Sequence, residues 1–299
     1  MKFVQDAEIS QIRFLKNKDP RVRSRAAENL ARLGAEAKFA ILPLRQRLRD
    51  ADPQVRCRAA TALGEIGSAA VEELIHALAL PDRNVRREAV WALGKIGPEA
   101  LPAVGALARA LSDRDATVRK GAARALGLLG RWARPAIPFL IAALSDTDLF
   151  FSRLAAWALG MIGAPAVAAL VGALGHADKY VQREAAWALG QIGPDAAAAV
   201  PKLTAILKFS SGNSSADPFK KIPAQEETEI IFLHPKPDAM LRTYAAQALG
   251  KIGVQARSAY PALRATLADP DYHVAQAAAE ALKQLQDEAG TGWYLKAAG

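Results

Sequence analysis

The chain has 299 residues, of which 51 % are apolar, only 6 % are aromatic, and the net charge is +9. That suits a large core built from small side chains, and abundant alanine favours closely packed helices. The single cysteine, Cys57, excludes an internal disulfide and a thiolate metal site, and no apolar run is long enough to span a bilayer.

The opening MKFVQDAEIS has no apolar h-region, so no secretory signal is expected, and one lone thiol points to a reducing, cytoplasmic compartment. Residues 1–60 hold 14 Lys/Arg against 7 Asp/Glu and carry most of the positive charge. This end reads as a charged first repeat that caps the molecule, with long-range attraction of an acidic partner as the alternative.

From there a motif recurs: Asp-x-x-Val-Arg-x-x-Ala-Ala-x-Ala-Leu-Gly-x-Ile-Gly. It opens at Asp19, Asp52, Asp82, Asp115, Asp148, Asp178, Asp238 and Asp271, in steps of 33, 30, 33, 33, 30, 60 and 33 residues. Each copy reads as a helix with marked ends. The aspartate is the N-cap, Pro20 and Pro53 occupy the first helical position, and glycines from Gly34 to Gly253 close the helix as left-handed caps. A second apolar-periodic segment precedes each copy, as in 70–78, 136–144 and 259–267. Helix pairs at this period predict an all-α, right-handed α-solenoid (an α-α superhelix) of eight helix pairs. It occupies residues 1–286 as one domain. A non-repeat loop insertion, 209–237, interrupts repeat 7, and 287–299 form a tail.

The motif is similar to the HEAT-like repeat of the phycobilisome-lyase (E/Z) type. The resemblance covers the chain from about Ala7 to Leu285 apart from the insertion. It implies that the second helix of each pair lines the concave face. It also implies two expectations of function: an interaction scaffold, or a bilin lyase-type or phycobiliprotein-chaperone subunit.

Numbering each second helix from the Leu of its Ala-Leu-Gly, positions −8, −4, −1, 0 and +3 fall on one arc and form the core. Glycine at +1 suggests that successive second helices approach closely there. Positions −6, −2 and +2 lie opposite the core and vary. In repeats 3 to 6 they read Arg87, Lys120, Arg153 and Arg183; then Trp91, Arg124, Trp157 and Trp187; then Lys95, Leu128, Met161 and Gln191. Indoles beside arginines are the usual chemistry of interaction hot spots. These residues are therefore the candidate binding face, although a Trp at −2 can also serve only to buttress the next helix. Arginine at −7 (Arg23, Arg56, Arg86, Arg119, Arg242) reads as an inter-repeat ladder to the neighbouring cap aspartate. Ser152, Gln182 and Ala275 interrupt that ladder.

Within the insertion, Ile230, Ile231, Phe232 and Leu233 form a short apolar run that could dock on the groove. His76, His176, His234 and His273 lie in separate repeats, so no metal site is expected. No triad, phosphate loop or other catalytic constellation is present, and no cofactor is expected outside the bilin alternative. The reading is a non-catalytic scaffold or adaptor that holds a protein partner in its groove, without membrane insertion. Nucleic-acid binding through the basic, Trp-containing face is a further alternative, by architectural likeness to alkylpurine DNA glycosylases.

Overall fold

The computed structural model describes residues 2–208 and 237–287. The apolar run Ile230–Leu233 and the tail beyond Asp287 lie outside the described residues. Two compact units divide the chain, residues 1–162 and 163–299.

The first unit contains five helix pairs: α1 (Lys2–Phe14) with α2 (Pro20–Leu33), α3 (Ile41–Arg47) with α4 (Pro53–Ile66), α5 (Val71–Leu78) with α6 (Arg83–Ile96), α7 (Val104–Ala110) with α8 (Ala116–Leu129), and α9 (Ile137–Ala143) with α10 (Leu149–Ile162). The second contains α11 (Val167–Ala173) with α12 (Lys179–Ile192), α13 (Val200–Lys208) with α14 (Pro237–Ile252), and α15 (Tyr260–Thr266) with α16 (Tyr272–Asp287). Within each unit every second helix packs on the next, α2 on α4 through to α8 on α10, and α12 on α14 on α16. No strand occurs among the described residues. No single helix among them is long and apolar enough to cross a membrane.

The helix ends follow from the motif. Asp52 Oδ1 accepts from the N–H groups of Gln54 and Val55 at 2.8 and 3.1 Å, and Asp115 does the same for Thr117 and Val118. Repeat 7 differs, because α14 already starts at Pro237 and Asp238 falls inside its first turn. The closing glycines have positive φ but are not left-handed helical caps. Gly67 sits at φ 80° and ψ −141°, with its N–H bonded to Leu63 O. A Cβ is disfavoured in that region, and all seven positive-φ residues described are such glycines. The chain then enters a 3₁₀ turn that leads into the short first helix of the next pair.

The predicted core arc is buried. In repeats 2 to 4 it comprises Val55, Ala59, Ala62 and Leu63, then Val85, Ala89, Ala92 and Leu93, then Val118, Ala122, Ala125 and Leu126. A buried leucine contributes about 1.5–3 kcal/mol relative to exposure, so this repeated layer supplies the main cohesive term. The alanines let the helices approach. A Cβ on Gly94 would stand 3.5 Å from the Ala125 Cβ, and one on Gly190 would stand 3.1 Å from the Ala248 Cα. The +1 glycine therefore faces the −1 alanine of the following second helix.

Candidate functional site

Polar side chains at −7 and −6 tie several repeats to their neighbours. Arg23 donates from Nε and Nη2 to both carboxylate oxygens of Asp50, at 2.8 and 2.6 Å. Arg86 binds Asp113 the same way at 2.7 and 2.9 Å, and Arg242 binds Asp269 at 2.8 and 3.0 Å. The acceptor is thus not the cap aspartate, as expected from the sequence, but the aspartate two residues before it. That carboxylate also accepts from the cap's own N–H, as Asp50 does from Asp52 at 3.1 Å. The guanidinium reaches back to its own preceding loop as well: Arg86 Nη1 bonds the carbonyls of Leu80 and Pro81. At Ser152 and Gln182, where arginine is missing, a backward tether is kept. Ser152 Oγ donates to Leu144 O at 2.8 Å, and Gln182 donates to His176 O.

The cap aspartates are held by the −6 row. Arg87 makes a two-armed ion pair with Asp115, with Nε 2.8 Å from Oδ1, and Lys120 Nζ lies 2.7 Å from Asp148 Oδ2. The Arg87 hydrogen bond holds the Asp115 carboxyl down at about 2, against an ordinary 3.8. Two of the cations read from sequence as part of the binding face are therefore paired with carboxylates of the next repeat. The cause is geometric: a residue at −6 lies beside the first turn of the following second helix. In the second unit Arg183 is similarly engaged, donating to Glu184 Oε1 at 2.8 and 3.1 Å and lying 4.7 Å from the Tyr180 ring centroid.

The −2 and +2 positions remain open. On α6, Trp91 is 43 % exposed, and the Lys95 ammonium sits 5.4 Å from its ring centroid and 2.8 Å from Glu65 Oε1. On α8, Arg124 is exposed and makes no hydrogen bond or ion pair among the described residues, and Leu128 below it is 46 % exposed. On α10, Met161 is 50 % exposed, whereas Trp157 is only part-exposed because its indole lies across Gly127 of α8. Trp157 therefore combines the two readings: it buttresses the neighbouring helix and still borders the open face. Arg153 is half-buried on the same helix. In the second unit Trp187 is half-buried and Gln191 exposed.

One residue of the face is absent from the sequence reading. Phe150 is 65 % exposed at the start of α10, with the Lys120 ammonium 5.2 Å from its ring centroid. Its signal is the Leu-Phe-Phe that opens this helix, where repeats 1 to 3 have polar residues or proline at the first two positions and repeat 4 has Ala-Thr. The next residue, Phe151, replaces the usual core valine and has a second effect. Arg119 stacks on its ring at 5.2 Å and is left 3.6 Å from Asp146, so this rung is looser than the others. A cleft of about 370 Å³ opens there, lined by Arg119, Asp146, Phe139 and Phe151. No group of three or more His, Cys, Asp or Glu side chains among the described residues could hold a metal ion.

The stacked pairs and their small-residue seam define an all-α solenoid built from helical repeats. The chain matches the HEAT repeats over residues 41–109, 104–171, 137–212 and 230–291, and it belongs to that family. No curated protein matches it. Among solved structures it is similar to two engineered proteins. One has 30 % identity and a TM-score of 0.43, covering 62 % of this chain and 96 % of the other; the second has 26 % identity and a TM-score of 0.48, covering 94 % and 78 %. It is also similar to human deoxyhypusine hydroxylase in complex with glycerol, at 25 % identity and a TM-score of 0.39, over 96 % and 98 % of the two chains.

Proposed function

We propose that this HEAT-repeat protein is a non-catalytic scaffold that holds a protein partner on the open face of its second helices. The observation that carries this reading is the line of exposed apolar side chains on three successive helices, Trp91 on α6, Leu128 on α8 and Met161 with Phe150 on α10. Large apolar side chains exposed on successive helices are the kind of surface that serves as an interaction site, and Trp beside Arg is the typical anchor chemistry. The lone, exposed Cys57 supports a reducing, cytoplasmic setting.

The neutralised −6 row weighs against the two other readings. A bilin's propionates or a nucleic acid's phosphates would meet Arg87 and Lys120 already paired to Asp115 and Asp148. Affinity capture from the source cells tests the proposal. Trp91→Ala combined with Met161→Ser should abolish recovery of a partner that the parent chain retains, without lowering the melting temperature. Equal recovery by both proteins, or spectral binding of a bilin lost in the same variant, would contradict it.

A further inference from the structure

The geometry points to the chemistry of the partner: a short apolar segment of another protein that carries one acidic side chain, with its carboxylate held by Arg124. This rests on the scaffold reading above and specifies what the face selects.

Neither α8 nor α10 contains an aspartate or glutamate, and their open sides carry Phe150, Leu128 and Met161. An approaching segment therefore meets apolar surface and positive charge from the side chains of these two helices. The cations around it differ in availability. Lys95 is bound to Glu65, Arg87 to Asp115 and Lys120 to Asp148. Arg124 is exposed one turn from Leu128 and has no partner among the described residues. A guanidinium can take a carboxylate in two-armed fashion, and its plane tolerates an aromatic neighbour. Beside an apolar strip that excludes water, such a bond is worth more than on an open surface. A run of phosphates needs several free cations in a row, and internal carboxylates already engage Arg87, Lys95 and Lys120. An acidic side chain flanked by apolar ones fits both halves of the site.

Selection of a random linear peptide display library on the full chain tests this. The parent protein should enrich peptides with an Asp or Glu flanked by aromatic or aliphatic residues. Arg124→Glu should weaken those peptides at least tenfold and recover binding when their acid is changed to Lys. Because Arg124 makes no hydrogen bond or ion pair among the described residues, the variant's melting temperature should stay unchanged, which keeps the comparison interpretable. Enriched peptides without an acid, lost on Leu128→Ser with Met161→Ser but indifferent to Arg124→Glu, would overturn this inference and leave the scaffold reading standing. Peptides indifferent to both changes, or no enrichment, would overturn both. Retention of a single-stranded oligonucleotide by the parent chain, lost in Arg124→Glu, would replace the acidic segment with nucleic acid.

Discussion

Trp157 and Gly127 show how closely one residue can depend on another in a stack of small-residue helices. A Cβ on Gly127 would run into the indole ring, whereas a Cβ on Gly94, one repeat earlier, would make ordinary contact with Ala125. The two glycines occupy the same motif position, yet their alanine variants should behave oppositely. Gly127→Ala should lose about 1–3 kcal/mol through overpacking, and Gly94→Ala should gain up to about 1 kcal/mol from helix propensity. Urea unfolding of both variants checks this; equal effects would mean that the indole does not rest on α8. The sequence supplied the close approach, because glycine recurs at +1. It could not say which residue fills the space, because a Trp at −2 can turn toward its neighbour or toward solvent with the same periodicity.

At the scale of the helix, the ladder explains what the basic residues do. The 33-residue repeats place an aspartate two positions before the cap, at Asp50, Asp113, Asp146 and Asp269, to receive the −7 arginine. The shorter step into repeat 3 has Leu80 there, and Arg56 Nε is left buried without a hydrogen bond among the described residues. Pairing across repeats was legible in the alternating signs, but its register was not, since only the loop geometry decides which of two nearby aspartates is reached. The pairing of Arg87 and Lys120 with the cap aspartates was not legible for the same reason. Arg87 gives the test. Asp115 is held below its ordinary value in the folded state, so the pair's contribution is complete above about pH 4 and is lost as pH falls toward 2. Arg87→Gln should therefore cost about 1 kcal/mol at pH 7, and its deficit relative to the parent should shrink between pH 4 and 3. Urea melts over that range measure it; a deficit that stays constant, or is absent at pH 7, would return Arg87 to the pool of ligand-binding cations.

Across the molecule, fold and function were legible to very different degrees. Eight copies of the motif, seven of them closed by a glycine, specify stacked helix pairs almost unaided, because each pair can bury its apolar arc only against the next. The core from Val55 to Leu285 follows the expected positions. The site was legible only in outline. Trp91, Arg124, Leu128 and Met161 stand exposed where the stripe placed them, but Phe150 belongs to a position the motif treats as a helix start, and the charge balance depends on carboxylates some 28 residues away. The central proposal is that a partner meets the second helices and not the first helices of the pairs. A photo-crosslinking residue placed at Met161 on α10, or at the equally exposed Phe139 on α9, puts this to a direct test in the source cells. A discrete protein adduct is expected from position 161 and none from 139; an adduct from 139 alone would contradict binding on the second helices.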